Sequence, residues 1–151
     1  MLPRIHLTIG LIISTILFFI FPQIGILGIA IIFLFSFLID IDHYFYFIHK
    51  KNSFNLKKAY LWFREKGRFL KKFPIKERKK FSTGFYCFHG IEIIIILLIL
   101  GIFVSKYFLY ILIGISLHLV LDWIELVHSK KRIFKISLIY DYFKNRKLKS
   151  I

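Results

Sequence analysis

Very little in this chain would staple a small domain together or mark a soluble enzyme. One cysteine, Cys87, excludes an internal disulfide and a thiolate metal site. With three prolines and eight glycines, no apolar stretch is interrupted in the manner of the broken helices of transporters. No Gly-x-Ser-x-Gly, P-loop or dinucleotide pattern occurs, so serine hydrolase, nucleotide-driven and redox chemistries have no support. Acidic residues are scarce, eight against 23 Lys and Arg, for a net charge of +15. That balance suits nucleic acid, an anionic membrane surface or orientation in a bilayer, and position along the chain decides among them.

Apolar sequence is what the chain has in plenty. Hydrophobic residues make up 58% of its 151 positions and mean hydropathy is +0.69, above the roughly 45 to 50% apolar usage of soluble domains. The expected fold class is an all-α membrane protein, a single polytopic domain over 1–151. Four apolar segments, at about 5–21, 24–40, 85–104 and 107–127, are near the roughly 17 to 25 residues a spanning helix needs. Only Pro22 and Gln23 separate the first two, and only Ser105 and Lys106 the last two, so each pair forms an antiparallel hairpin. Arg4 followed by apolar sequence suggests a signal peptide, but no small-residue cleavage site follows and a retained span is expected.

Charge then orients the hairpins. The stretch 50–80, within a basic loop at 48–84, holds 13 Lys and Arg against Glu65 and Glu77, and a basic tail at 128–151 holds eight against Asp141. With Arg4, 22 of the 23 basic residues fall on one side and only Lys106 on the other. By the positive-inside rule both termini and the loop are cytoplasmic, in the plasma (inner) membrane of a prokaryote. Leu56, Tyr60, Phe63 and Leu70 recur at helical spacing, which predicts an interfacial amphipathic helix within the loop. A solvated loop that only fixes topology is the competing reading. Nucleic-acid binding is not expected, because topology accounts for the basic residues and no RNA or DNA motif accompanies them.

Each apolar segment carries acids or imidazoles near its cytoplasmic end: His6; Asp40, Asp42 and His43; His89 and Glu92; His118, Asp122 and Glu125. An ionised side chain at mid-bilayer costs roughly 2.5 to 3.5 kcal/mol on insertion scales, so such groups are paired, coordinated or face a polar cavity. Residues three or four apart share a helical face, which pairs His118 with Asp122, His89 with Glu92 and Asp40 with His43. Asp40 and Asp42 point apart on an ideal helix, and both serve one site only if the helix ends there or one orients a histidine from behind. Imidazole nitrogens and carboxylate oxygens suit zinc, with manganese and ferrous iron as alternatives, and helical bundles build metal sites from such inward groups. Simpler readings compete. His6 alone is an interfacial histidine, His43 and His49 stand in an aromatic belt with Tyr44, Phe45, Tyr46 and Phe47, His128 is a surface residue, and Glu125 reaches water or Lys130. Buried ion pairs serving only structure are the alternative for the set as a whole.

The ordered set resembles a known family. His6 with Gly10, then Asp40-Ile41-Asp42-His43, then Phe88-His89-Gly90, then His118 with Asp122 is similar to the pattern of the YdjM-like membrane-bound predicted metal-dependent hydrolases. That pattern has an early H-x-x-x-G, a P-D-x-D-H box, a histidine opening the third span and a late H-x-x-x-D. Two positions depart from it: Ile39 stands for the proline, and Gly84 for the first histidine of an H-R-G-F-T-H-S box. The resemblance implies a metal site, and a looser similarity to zinc-dependent phospholipase C enzymes implies phosphoester chemistry.

The expected function is metal-dependent hydrolysis at the cytoplasmic interface, on a phosphoester of a lipid or amphipathic substrate. His6, Asp40, Asp42, His89, His118 and Asp122 are the expected metal ligands, and Glu92 and Asp42 the candidate catalytic carboxylates. Metal-ion or proton transport is one alternative, opposed by outer helix halves that lack polar stepping stones. A non-catalytic adaptor whose basic loop docks an acidic partner or anionic lipid is the other.

Overall fold

The structure is a computed structural model, and it describes residues 3–78, 80, 81, 84, 86–128, 137–146 and 148. Residue 85, where the third apolar segment was expected to start, and half of the basic tail lie outside the described residues. The described chain is all-helical. Helix α1 spans Pro3–Ile20, with proline at its first position, where no helical N–H is required. Pro22 stops it and opens a short 3-10 turn, Pro22–Ile24, and Gly25 takes φ 72° to redirect the chain into α2, Gly25–Leu38. After a two-residue break at Ile39 and Asp40, α3 runs Ile41–Lys51. Asn52, at φ 46°, closes α3 by donating its N–H to the Ile48 carbonyl at 2.8 Å. Asn55 then caps α4, Leu56–Lys71, its side chain accepting the Lys58 N–H at 2.9 Å. A short α5, Ile75–Arg78, precedes α6, Ile91–Phe103, and α7, Tyr107–His128, while α8 covers Leu138–Asn145.

The two expected hairpins form: α1 packs on α2 and α6 on α7, while α2 against α7 joins the two pairs. Ile39, Leu97 and Ile115 make the buried core, with Phe35, Ile93, Phe108, Ile111, Leu112 and Leu119 packed around it. Small residues set the approach of the helices. A Cβ on Gly114 would fall 2.6 Å from the Ile32 carbonyl oxygen, and one on Gly10 would collide with the Ser36 hydroxyl. Two helical runs, Pro22–Lys51 and Tyr107–Glu125, are long and apolar enough to cross a membrane. The apolar helices at Ile5–Ile20 and Ile91–Phe103 are shorter. Large apolar side chains are exposed along the helices, among them Phe19, Ile26, Ile102 and Phe103 at the helix ends away from the His and Asp residues.

The loop between the hairpins contains the amphipathic helix, but its inner face differs from the expected stripe. Ala59 and Lys66 are buried and Trp62 and Phe63 half-buried, the last three against α3, while Leu56 and Tyr60 are exposed. Trp62 and Phe63 pack on Phe47 and His43, which draws that side of α4 inward.

Candidate metal centre

The break between α2 and α3 brings the site together. Asp40 sits in the break and Asp42 in the first turn of α3, so the two carboxylates are not held to the opposed directions of one continuous helix. Asp40 Oδ1 lies 3.5 Å from His118 Nε2, 3.5 Å from His43 Nδ1 and 3.9 Å from His89 Nε2. Four residues after His118 on α7, Asp122 directs one oxygen to His6 Nε2 at 3.3 Å and the other to His118 Nε2 at 3.6 Å and His89 Nε2 at 3.8 Å. Two groups result, His6 with His118 and Asp122, and Asp40 with His43 and His89, and the candidate ligand atoms within each lie within 4.8 Å of one another. The imidazoles themselves stack: His6 on His118 at 4.1 Å, and His43 on Tyr86 at 3.9 Å.

Hydrogen bonds behind the cluster set which nitrogen of His118 and of His89 faces it. His118 Nδ1 donates to the Ser36 carbonyl at 2.9 Å, which leaves the Nε2 lone pair directed inward. Asp42 is the other anchor. Its Oδ1 accepts from His43 Nδ1 at 2.7 Å, and its Oδ2 accepts from His89 Nδ1 at 3.0 Å and from the Phe88 N–H at 3.2 Å. A carboxylate that holds a histidine by Nδ1 fixes the tautomer in which Nε2 is a ligand and raises its basicity. Asp42 therefore stands behind the imidazoles, which is the second of the two roles open to it in the sequence. Asp42→Asn keeps the shape but loses an acceptor and the charge. It is expected to weaken metal binding by about 10 to 100-fold without loss of fold, measured by competition with a chromophoric chelator.

The donor set fits a divalent cation. His6 and His118 are fully buried, yet His6 Nδ1 and Nε2 and His118 Nε2 have no hydrogen-bond partner among the described residues. Buried imidazole nitrogens without partners are costly, and coordination would satisfy the two Nε2 atoms. Separations match as well. Two ligand atoms at zinc distances and a tetrahedral angle stand about 3.4 Å apart, and the Nε2 atoms of His6 and His118 lie 3.3 to 3.6 Å from the oxygens of Asp40 and Asp122. Asp40 and Asp122 remain 29% and 25% exposed, so the cluster is open to a small molecule on one side.

Other expected residues go elsewhere. Glu92 turns to the start of α8: Oε1 accepts from the Ser137 hydroxyl at 2.5 Å and the Ile139 N–H at 3.3 Å, and Oε2 from the Leu138 N–H at 2.9 Å. The helical pairing of His89 with Glu92 does not hold because Gly90 is extended and α6 begins only at Ile91. His49 is exposed. His43 joins the cluster although its aromatic neighbours suggested a boundary residue, and its spacing of three from Asp40 was the available signal. Sequence spacing does not pick out Ser36 or Tyr86; Ser36 lies on α2, four residues before Asp40. At Gly84 the backbone has φ 114°, and a Cβ there would come 2.7 Å from Tyr86 Oη. The tyrosine that stacks on His43 thus fills space that a side chain at 84 would need. No protein-family model, curated protein or solved structure matches the chain.

Proposed function

We propose that this chain is a four-pass membrane hydrolase that uses one or two divalent metal ions, zinc first among them, at the cytoplasmic interface. The observation that carries the reading is the convergence of His6, Asp40, His43, His89, His118 and Asp122 from both hairpins into two adjoining ligand groups. The resemblance to the YdjM-like hydrolases supports it in the chain order of the motifs, with Ile39 and Gly84 as its two departures. A divalent ion bound there supplies Lewis acidity, for water activation and for polarising the scissile group. The protein's residues do the rest. Ser36 and Asp42 hold His118 and His89 with Nε2 inward. Asp40 and Asp122, the two partly exposed carboxylates, are placed to take up the proton released when water attacks. Their position at the mouth of a site that both hairpins flank favours a substrate presented from the bilayer, and the basic loop favours a phosphate-bearing headgroup. Hydrolysis of a lipid phosphoester is the specific reaction inferred.

Purified protein in nanodiscs of mixed phospholipids tests it, with phosphorus NMR following phosphoester cleavage. Cleavage is expected to stop with chelator, return with zinc or manganese, and fall by about 100-fold or more in Asp122→Ala. Metal-loaded protein that cleaves no phospholipid above the rate of empty nanodiscs overturns the reading.

A further inference from the structure

We propose that the cleft between α3 and α4 is a second site, a docking groove for the headgroup of an anionic phospholipid. It rests on the functional reading for the placement of α4 at the membrane surface and for the preference of the basic loop for a phosphate-bearing headgroup, and it depends on no residue of the metal centre. Asn52 turns the chain sharply between the two helices, and beside that elbow lies a groove of about 340 Å³. Its polar donors are Lys51, Ser53 and Lys58, and its apolar wall is Phe47, Leu61 and Trp62. Glu65 also lines it, a carboxylate suited to a headgroup hydroxyl.

The groove's background is positive. Lys66, on the inner face of α4, is only 7% exposed and pairs with no carboxylate among the described residues. Its ammonium is covered by the rings of Trp62 at 5.1 Å and Tyr46 at 5.5 Å, and Lys51 lies 5.9 Å from the same Trp62 ring. Burial, and then the nearby Lys50, hold Lys66 down at about 8 against an ordinary value of 10.5. A cation kept out of water without a counter-charge leaves a field that an anion in the groove would compensate. The apolar wall of Phe47, Leu61 and Trp62 selects a lipid over free phosphate.

Trp62 reports on its own occupancy once Trp123, the other tryptophan, is changed to Phe. Detergent-solubilised Trp123→Phe protein, with chelator present so that the metal centre plays no part, is titrated with short-chain phosphatidylglycerol, short-chain phosphatidylcholine and inorganic phosphate. A saturable change in Trp62 emission is expected with phosphatidylglycerol, weakened about thirtyfold when Lys51→Gln and Lys58→Gln are added. Equal affinity for phosphatidylcholine, or no loss in the lysine variant, overturns the site. Inorganic phosphate saturating at the same concentration overturns the lipid assignment. Because chelator is present throughout, failure here is distinct from failure of the hydrolase reading, which the nanodisc assay decides alone.

Discussion

Replacing His118 with alanine is expected to weaken divalent-metal binding by at least about 100-fold, the upper end of what losing even an outer partner costs. The imidazole is fully buried, its Nδ1 is committed to the Ser36 carbonyl, and its Nε2 faces Asp40 at 3.5 Å and Asp122 at 3.6 Å. Like His89 it meets a carboxylate from each hairpin, and it also stacks on His6, so its loss takes a donor from one ligand group and a neighbour from the other. Chelator competition gives the affinity, and thermal unfolding gives an independent readout. Metal at about 100 times its Kd stabilises a protein that binds it only when folded by about 2.7 kcal/mol, and the variant should gain no more than about 0.4 kcal/mol at the same concentration. An unchanged affinity would make His118 a core residue in a structural network of ion pairs.

Gly114→Ala is expected to give the largest loss of stability from a single methyl group. The new Cβ would lie 2.6 Å from the Ile32 carbonyl oxygen and 2.9 Å from Phe35 Cβ, and the backbone atom cannot swing aside. Relief requires α7 to move away from α2, the contact that joins the hairpins and sets the reach from His118 to Asp40. A cost of about 1 to 3 kcal/mol follows, seen as a lower unfolding temperature in detergent, together with weaker metal binding. Gly67→Ala is the control. It sits on α4 with open space around the added methyl, and should be neutral or stabilising by up to about 1 kcal/mol. If both substitutions behaved alike, the close packing of α2 on α7 would not be what positions the site.

The helical architecture and the pairing of helices were legible because apolar length and short connections are coarse signals that survive local irregularity. The same holds for His118 with Asp122, which lie on one uninterrupted helix, α7. Irregular backbone is where the sequence misled. His89 and Glu92 have helical spacing, but the helix starts between them, and Glu92 instead satisfies free N–H groups at the start of α8. Asp40 and Asp42 have the spacing of opposite faces, and a two-residue break lets both reach imidazoles. The inner face of α4 was misjudged because a buried lysine, Lys66, takes a place that periodicity reserves for an apolar residue, and aromatic rings rather than acids shelter it. No count of apolar positions anticipates that. Which side of the membrane holds the loop, and whether all four helices cross, are part of the proposal, and the charge distribution is their support.

Elemental analysis of the detergent-purified protein, isolated without metal-affinity resin, tests the central claim most directly. The account predicts about one to two divalent ions per chain in the wild type and their loss in His89→Ala. A wild-type protein with no ion above background, or a His89→Ala protein that retains the same content, would contradict it.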